Sequence, residues 1–287
     1  MRYGLSIGNF AEYADARLVA SVAREAEDAG WDGVFVWDHL TFVKAWRLPV
    51  GDRWTILAAV ALATERVRLG PMVTPLPRRR PQVVARQTVT LDHLSGGRLV
   101  FGVGLGEPAE DEFTTFGEPA DRGTRAAMLD ESLEVVAALW SGEPVTRRGR
   151  FYTVDDVAFL PTPVQSPRIP VWVAATVGFD RPLVRAARWD GVHPVAYAED
   201  GSDRSAEPAD IAAMRTRILS LRADAGLPPG PYDILSSGDM TWSRRPAQVS
   251  ICRELADAGA TWWLHAVTPR GGPVDAHLAI IRDGPPV

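Results

Sequence analysis

The chain has 287 residues, 46% of them hydrophobic and 23% charged, with a formal net charge of -5. That composition excludes a disordered chain and leaves ample material for a large core. Charge spread along the chain, without clustered Lys and Arg, argues against a nucleic-acid surface, and no run reaches the ~18 apolar residues of a membrane span. Lys44 is the only lysine, so a Schiff-base mechanism would have one candidate, on a loop. The one basic run, Arg78-Arg79-Arg80, is bracketed by Pro77 and Pro81. Cys252 is the only cysteine and falls in an apolar-periodic stretch, so it reads as core rather than nucleophile. The absence of any internal disulfide fits a cytoplasmic protein, as does an N-terminus that opens on a strand-like run without a signal-peptide pattern.

Strand and helix periodicities alternate along the chain. Tyr3 to Ile7 reads as a strand and Leu18 to Ala29 as a helix closed by Gly30. The pattern repeats with the strand Gly33–Trp37 and the helix Thr55–Thr64, then the strand Val67–Val73 and the helix Gln82–Leu94, which begins after Pro81. A fourth strand, Arg98–Val103, precedes a helix over Arg125–Trp140. An insertion follows, in which Phe151–Val154 and Val157–Leu160 flank Asp155-Asp156 as a small hairpin, and four prolines between Pro161 and Pro170 impose an extended connection. Strands at Val171–Ala174, Gly191–Val195, Tyr232–Leu235 and Thr261–Ala266 then alternate with helices at Pro182–Trp189, Pro208–Ala225, Pro246–Ala258 and Val274–Ile281. Eight strands alternating with eight helices imply an α/β (β/α)8 TIM barrel with an insertion between the fourth helix and the fifth strand. No linker divides the chain, so residues 1–287 are expected to form one domain.

In such a barrel the chemistry sits at the C-terminal strand ends. Of five histidines, His93 and His277 fall in helices, His193 and His265 within strands, and His39 just past the second strand beside Asp38. A neighbouring carboxylate can orient an imidazole, which makes Asp38–His39 the leading candidate for proton transfer. No close pairing of ligand residues appears, so no metal site is expected. The run Gly102-Val103-Gly104-Leu105-Gly106-Glu107 is a poor dinucleotide fingerprint, because its third glycine is one residue early and no helix starts there. Two readings stand: bare backbone that lets a flat ligand approach, or a tight turn only.

The ordered segments Ala26-Glu27-Asp28-Ala29-Gly30-Trp31-Asp32-Gly33, Trp37-Asp38-His39, Leu69-Gly70-Pro71-Met72-Val73-Thr74-Pro75, Leu91-Asp92-His93-Leu94-Ser95-Gly96-Gly97-Arg98, Gly102-Val103-Gly104, Phe116-Gly117-Glu118, Leu139-Trp140 and Arg188-Trp189-Asp190-Gly191 cover nearly the whole chain. In this order the sequence resembles the bacterial-luciferase-like monooxygenases and their deazaflavin-dependent relatives. The resemblance implies a flavin-dependent oxidoreductase or monooxygenase that uses FMN and acts on a small organic substrate; a hydride-transfer enzyme using coenzyme F420 and a non-catalytic flavin-binding barrel are the alternatives. It implies a homodimer, with a separate flavin or F420 reductase as a further partner. Catalytic roles fall to His39, Asp38 and Glu107. Cofactor contacts fall to Met72, Val73, Thr74, Gly104 and Leu105 around the ring, and to Arg122, Ala174, Thr176, Val177 and Gly178 around the phosphate. Asp180 is an awkward neighbour for that phosphate. Pro71 cannot donate to a sheet ladder and so marks a break in pairing; the resemblance places a bulge with a non-prolyl cis peptide at Met72-Val73.

Overall fold

A computed structural model describes residues 1–238 and 245–286. The chain runs through strand β1 (Arg2–Ile7), helix α1 (Ala16–Asp28), β2 (Gly33–Val36), α2 (Arg53–Ala63), β3 (Arg68–Pro71), β4 (Thr74–Pro75), α3 (Pro81–Leu94) and β5 (Phe101–Gly104). It continues through α4 (Ala109–Glu112), α5 (Arg122–Trp140), the hairpin β6 (Val145–Arg148) and β7 (Thr153–Val157), then β8 (Val171–Thr176) and α6 (Asp180–Ala187). The last part comprises β9 (Gly191–Tyr197), β10 (Asp203–Arg204), α7 (Pro208–Asp224), β11 (Asp233–Gly238), α8 (Arg245–Ala258), β12 (Trp262–Val267) and α9 (Val274–Arg282).

Among the described residues, nine parallel strands make the barrel wall in the order β3-β2-β1-β12-β11-β9-β8-β5-β4. Its first and last members, β3 and β4, are halves of one stave interrupted at Met72-Val73, so the order begins and ends on the same stave and the barrel has eight. A parallel bridge between Leu69 and Leu99 completes the ring. The expected eight-fold alternation is therefore present, with the third stave broken directly after Pro71. Local signals set the helix starts: Asp15, Asp52 and Asp121 each accept a backbone N–H one or two residues into α1, α2 and α5, while α3 and α7 begin on proline.

Two cores follow from strand alternation. One lies between staves and helices and takes Leu5, Ile7, Val34, Val36, Val173 and Val192. The other fills the lumen with Phe35, Met72, Val100, Trp172, Leu235, Trp262 and Leu264. Ring centroids of Phe35 and Trp172 lie 5.3 Å apart, and those of Trp172 and Trp262 5.4 Å. The lumen is thus a packed plug, and Gly70 is there because a β-carbon would fall 1.9 Å from the Val100 carbonyl oxygen.

The insertion holds a hairpin, but not the expected one. Its strands are β6 and β7, and Asp155-Asp156 lies within β7 rather than at the turn. The carboxylate of Glu131 on α5 accepts from the N–H groups of Phe151 and Tyr152 at 3.1 and 2.8 Å, and Gly149 N–H donates to Tyr152 O. Those bonds place the turn before the acidic pair. Asp156 instead takes a left-handed backbone beside the register shift of the hairpin.

Candidate active site

The open end of the barrel is built around the broken third stave. The Met72-Val73 peptide is cis, as the resemblance implies. Met72 turns its side chain into the lumen plug and is 5% exposed, with half-buried Val73 packed on the same cluster. Thr74 is fully buried, and its hydroxyl has no hydrogen-bond partner among the described residues. Gly104 is also covered: a β-carbon there would meet Val73 Cγ2 at 2.7 Å and Ala174 Cβ at 3.2 Å. Its bare backbone makes room for Val73 and Ala174 to pack against the stave. Half-buried Leu105 leans on the outer core. Above this floor, half-buried Val73, Ala174, Thr176 and His193 face inward, because their neighbours Val173, Ala175 and Val192 pack outward.

His39 follows β2 at the rim, but Asp38 is not its partner. The buried Asp38 carboxylate accepts from Arg53 Nη1, from Arg79 Nη2 at 2.7 Å and Nε at 3.2 Å, and from Arg78 Nη2 at 3.3 Å. Burial, then the charges of Arg79 and Arg78, disfavours the charged form of Arg53. Asp38 therefore ties the end of β2 to α2 and to the turn after β4. A buried carboxylate left without such partners would be costly.

The partner of His39 is Glu112, at the end of α4. Its side chain has no exposed surface, and its Oε1 lies 3.3 Å from His39 Nδ1. The same carboxylate accepts from the N–H groups of Leu40 at 2.9 Å, Thr41 at 3.1 Å and Phe42 at 2.7 Å, and from Arg78 Nη1. Three successive amides, the last from a residue with φ of 60°, form a concave anion seat. Burial alone would raise the Glu112 carboxyl, but the His39 contact, the Leu40 amide and Arg78 outweigh it and hold it at about 2.

Sequence reasoning missed Glu112, Arg53, Arg78 and Arg79. One signal was present: Arg78-Arg79 follows a strand C-terminus, where barrel chemistry sits, and its bracketing prolines mark an ordered turn rather than a solvated charge run. Arg78 is 3% exposed, and burial lowers its guanidinium to about 10 against the opposing charge of Glu112.

On another part of the rim, Arg122 at the start of α5 donates to Thr176 Oγ1 at 3.1 Å. The Val177 amide is spent on Val195 O at 2.9 Å, so it is not a phosphate donor. Gly178 has φ of +82°, with open space where a β-carbon would stand. Asp180 makes a bidentate pair with Arg217 at 2.6 and 2.9 Å, which offsets its charge. Arg122, Thr176 and Gly178 thus provide cationic and hydroxyl groups beside an unobstructed turn, a chemistry that fits a phosphate. Glu107 is half-exposed, accepting from Arg125 Nη2 at 3.1 Å and Ala109 N–H at 2.9 Å.

The remaining histidines separate by environment. His193 lines the interior, and burial lowers it to about 4, so its imidazole is neutral. His265 faces the helix layer, stacked on Trp31 and Trp263, where burial lowers it to about 3. His277 bonds Thr268 O at 2.9 Å and His93 bonds Thr162 O at 2.7 Å, both structural. Cys252 is core, its thiol raised by burial to about 11.

The family described as luciferase-like monooxygenase matches residues 2–263. An F420-dependent glucose-6-phosphate dehydrogenase of Nakamurella multipartita is 35% identical over 164 residues, 55% of this chain and 46% of that relative, so the match takes in about half of the relative's length. The coenzyme F420 dependent tetrahydromethanopterin reductase of Methanopyrus kandleri superposes with a TM-score of 0.77 at 18% identity, over 98% of this chain and 96% of that one. Monooxygenase RslO1 of Streptomyces bottropensis gives 0.74 at 23% identity, over 98% and 97%. These two likenesses speak to the fold. With a match across almost its whole length, the chain belongs to the luciferase-like monooxygenase family.

Proposed function

We propose that this protein is an oxidoreductase that works with coenzyme F420 and oxidises or reduces a small organic substrate at the barrel mouth. The observation that carries the proposal is the mouth itself: an apolar floor at Met72-Val73, a carboxylate-held imidazole at His39 on one rim, and Arg122 with Thr176 on another. The buried, unpartnered Nδ1 of His193 adds a polar atom among the described residues lining that interior. Similarity to relatives named as F420-dependent favours the deazaflavin over FMN.

Arg122, Thr176 and the Gly178 turn would hold the cofactor phosphate, with Val73 beneath the site. A bound deazaflavin supplies a two-electron hydride carrier. His39 moves the accompanying proton, and its position at the rim leaves it accessible to substrate. Glu107, half-exposed and anchored by Arg125, adds an acidic group at the same end. Titrating the purified protein with F420 and with FMN, followed by fluorescence and absorbance, tests the assignment. Tight F420 binding with weak FMN binding supports it. Preferential FMN binding with dioxygen uptake would replace it with the monooxygenase reading, for which the RslO1 likeness supplies the shared fold. The same preparation, examined by light scattering, checks the homodimer we expect.

A further inference from the structure

We infer that Glu112 is the positioning residue of His39: its carboxylate takes the Nδ1 proton, fixes the imidazole as the Nδ1–H tautomer and leaves Nε2 as the proton-accepting atom at the mouth. The inference deepens the proposed function, since it rests on His39 as the proton-moving group.

The geometry leaves Glu112 few alternatives. An ionised carboxylate has no proton to donate, so the nitrogen facing it must carry one. Oε1 lies 3.3 Å from Nδ1, and the Glu112 side chain is wholly buried. The amides of Leu40, Thr41 and Phe42 together with Arg78 all donate to this carboxylate, so it is both charged and held still. Asp38, the nearer carboxylate in sequence, is already engaged by three arginines. Nε2 of His39 makes no hydrogen bond among the described residues, and it is not among the buried polar atoms.

When Nε2 accepts a proton from substrate, the ring becomes a cation and the carboxylate at Nδ1 stabilises it; the reverse transfer returns the ring to the neutral Nδ1–H form. The proton enters and leaves through Nε2, and Glu112 stays ionised throughout. Arg78 bridges the two carboxylates, donating to both Asp38 and Glu112. The loop that carries His39 is thus locked to the loop after β5 and to the turn after β4.

The tautomer is read directly by long-range 1H–15N correlation of histidine-labelled protein without cofactor, at a pH where the ring is neutral. His39 is assigned by the signal lost in His39→Gln. The expected result is a bare Nε2 and a protonated Nδ1 in the wild type. In Glu112→Gln the amide NH2 can face Nδ1 as a donor, and the ring is expected to switch towards Nε2–H. With the cofactor that binds, Glu112→Gln should lower turnover about 10²-fold or more, with KM changed little. A wild-type ring found as Nε2–H overturns the inference, even where the variant fails to fold. A folded Glu112→Gln with the wild-type tautomer overturns it too. Failure of F420 to bind would sink the functional reading and leave the tautomer result standing, so the two failures are distinct.

Discussion

Val73 occupies the space over Gly104, close enough that a β-carbon on the glycine would lie 2.7 Å from Val73 Cγ2. The residue displaced by the break in the third stave therefore packs on bare backbone of the next stave, and Ala174 closes the other side. Gly104→Ala should destabilise the fold by about 1–3 kcal/mol through overpacking. Gly230→Ala is the control, since nothing lies within 4 Å of a β-carbon there; it should be neutral or slightly stabilising. Urea unfolding of both variants checks the pair, and equal effects would contradict the packing argument.

Acid sensitivity should depend on Glu112. Its carboxyl is held at about 2 in the folded chain against an ordinary value of 4.5. A depressed carboxyl contributes stability that is fully present above pH 4.5 and is lost as pH falls towards about 2. Thermal midpoints measured across that range should fall more steeply for the wild type than for Glu112→Gln. Parallel slopes would show that the carboxylate is not depressed.

Arg122→Ala should weaken cofactor binding without harming the fold, because the side chain is exposed and, among the described residues, bonds only Thr176 by hydrogen bond. Loss of one charged hydrogen bond costs roughly 1.5–3 kcal/mol, or about 10- to 100-fold in affinity. A fluorescence titration reads the change directly, and unaltered affinity would move the phosphate elsewhere on the rim.

His39→Ala should show the opposite pattern. Turnover should fall by ~10²- to 10⁴-fold, as for loss of a placed acid or base, while cofactor affinity stays near wild type. Steady-state kinetics alongside a binding titration separates the two quantities. Wild-type turnover would return His39 to a purely structural role.

The barrel is legible in the sequence because its information is local. Apolar residues recur at helical or strand spacing, Pro81 and Gly30 mark a helix start and a helix end, and Pro71 announces a break in a central strand. Residues on strand ends are likewise placed by counting, so the positions of His39, Arg122 and Gly178 followed from the alternation and the resemblance. The partner of His39 did not. Asp38 is adjacent in the chain, yet Glu112, 73 residues away, holds the imidazole. The hairpin turn at Gly149–Tyr152 likewise hangs on Glu131, 20 residues upstream of Phe151. Periodicity tells which face a residue takes, but not which loop folds over which. Stave order and loop path gave two carboxylates of equal chemistry different neighbours, Asp38 three arginines and Glu112 the imidazole, three amides and the shared Arg78.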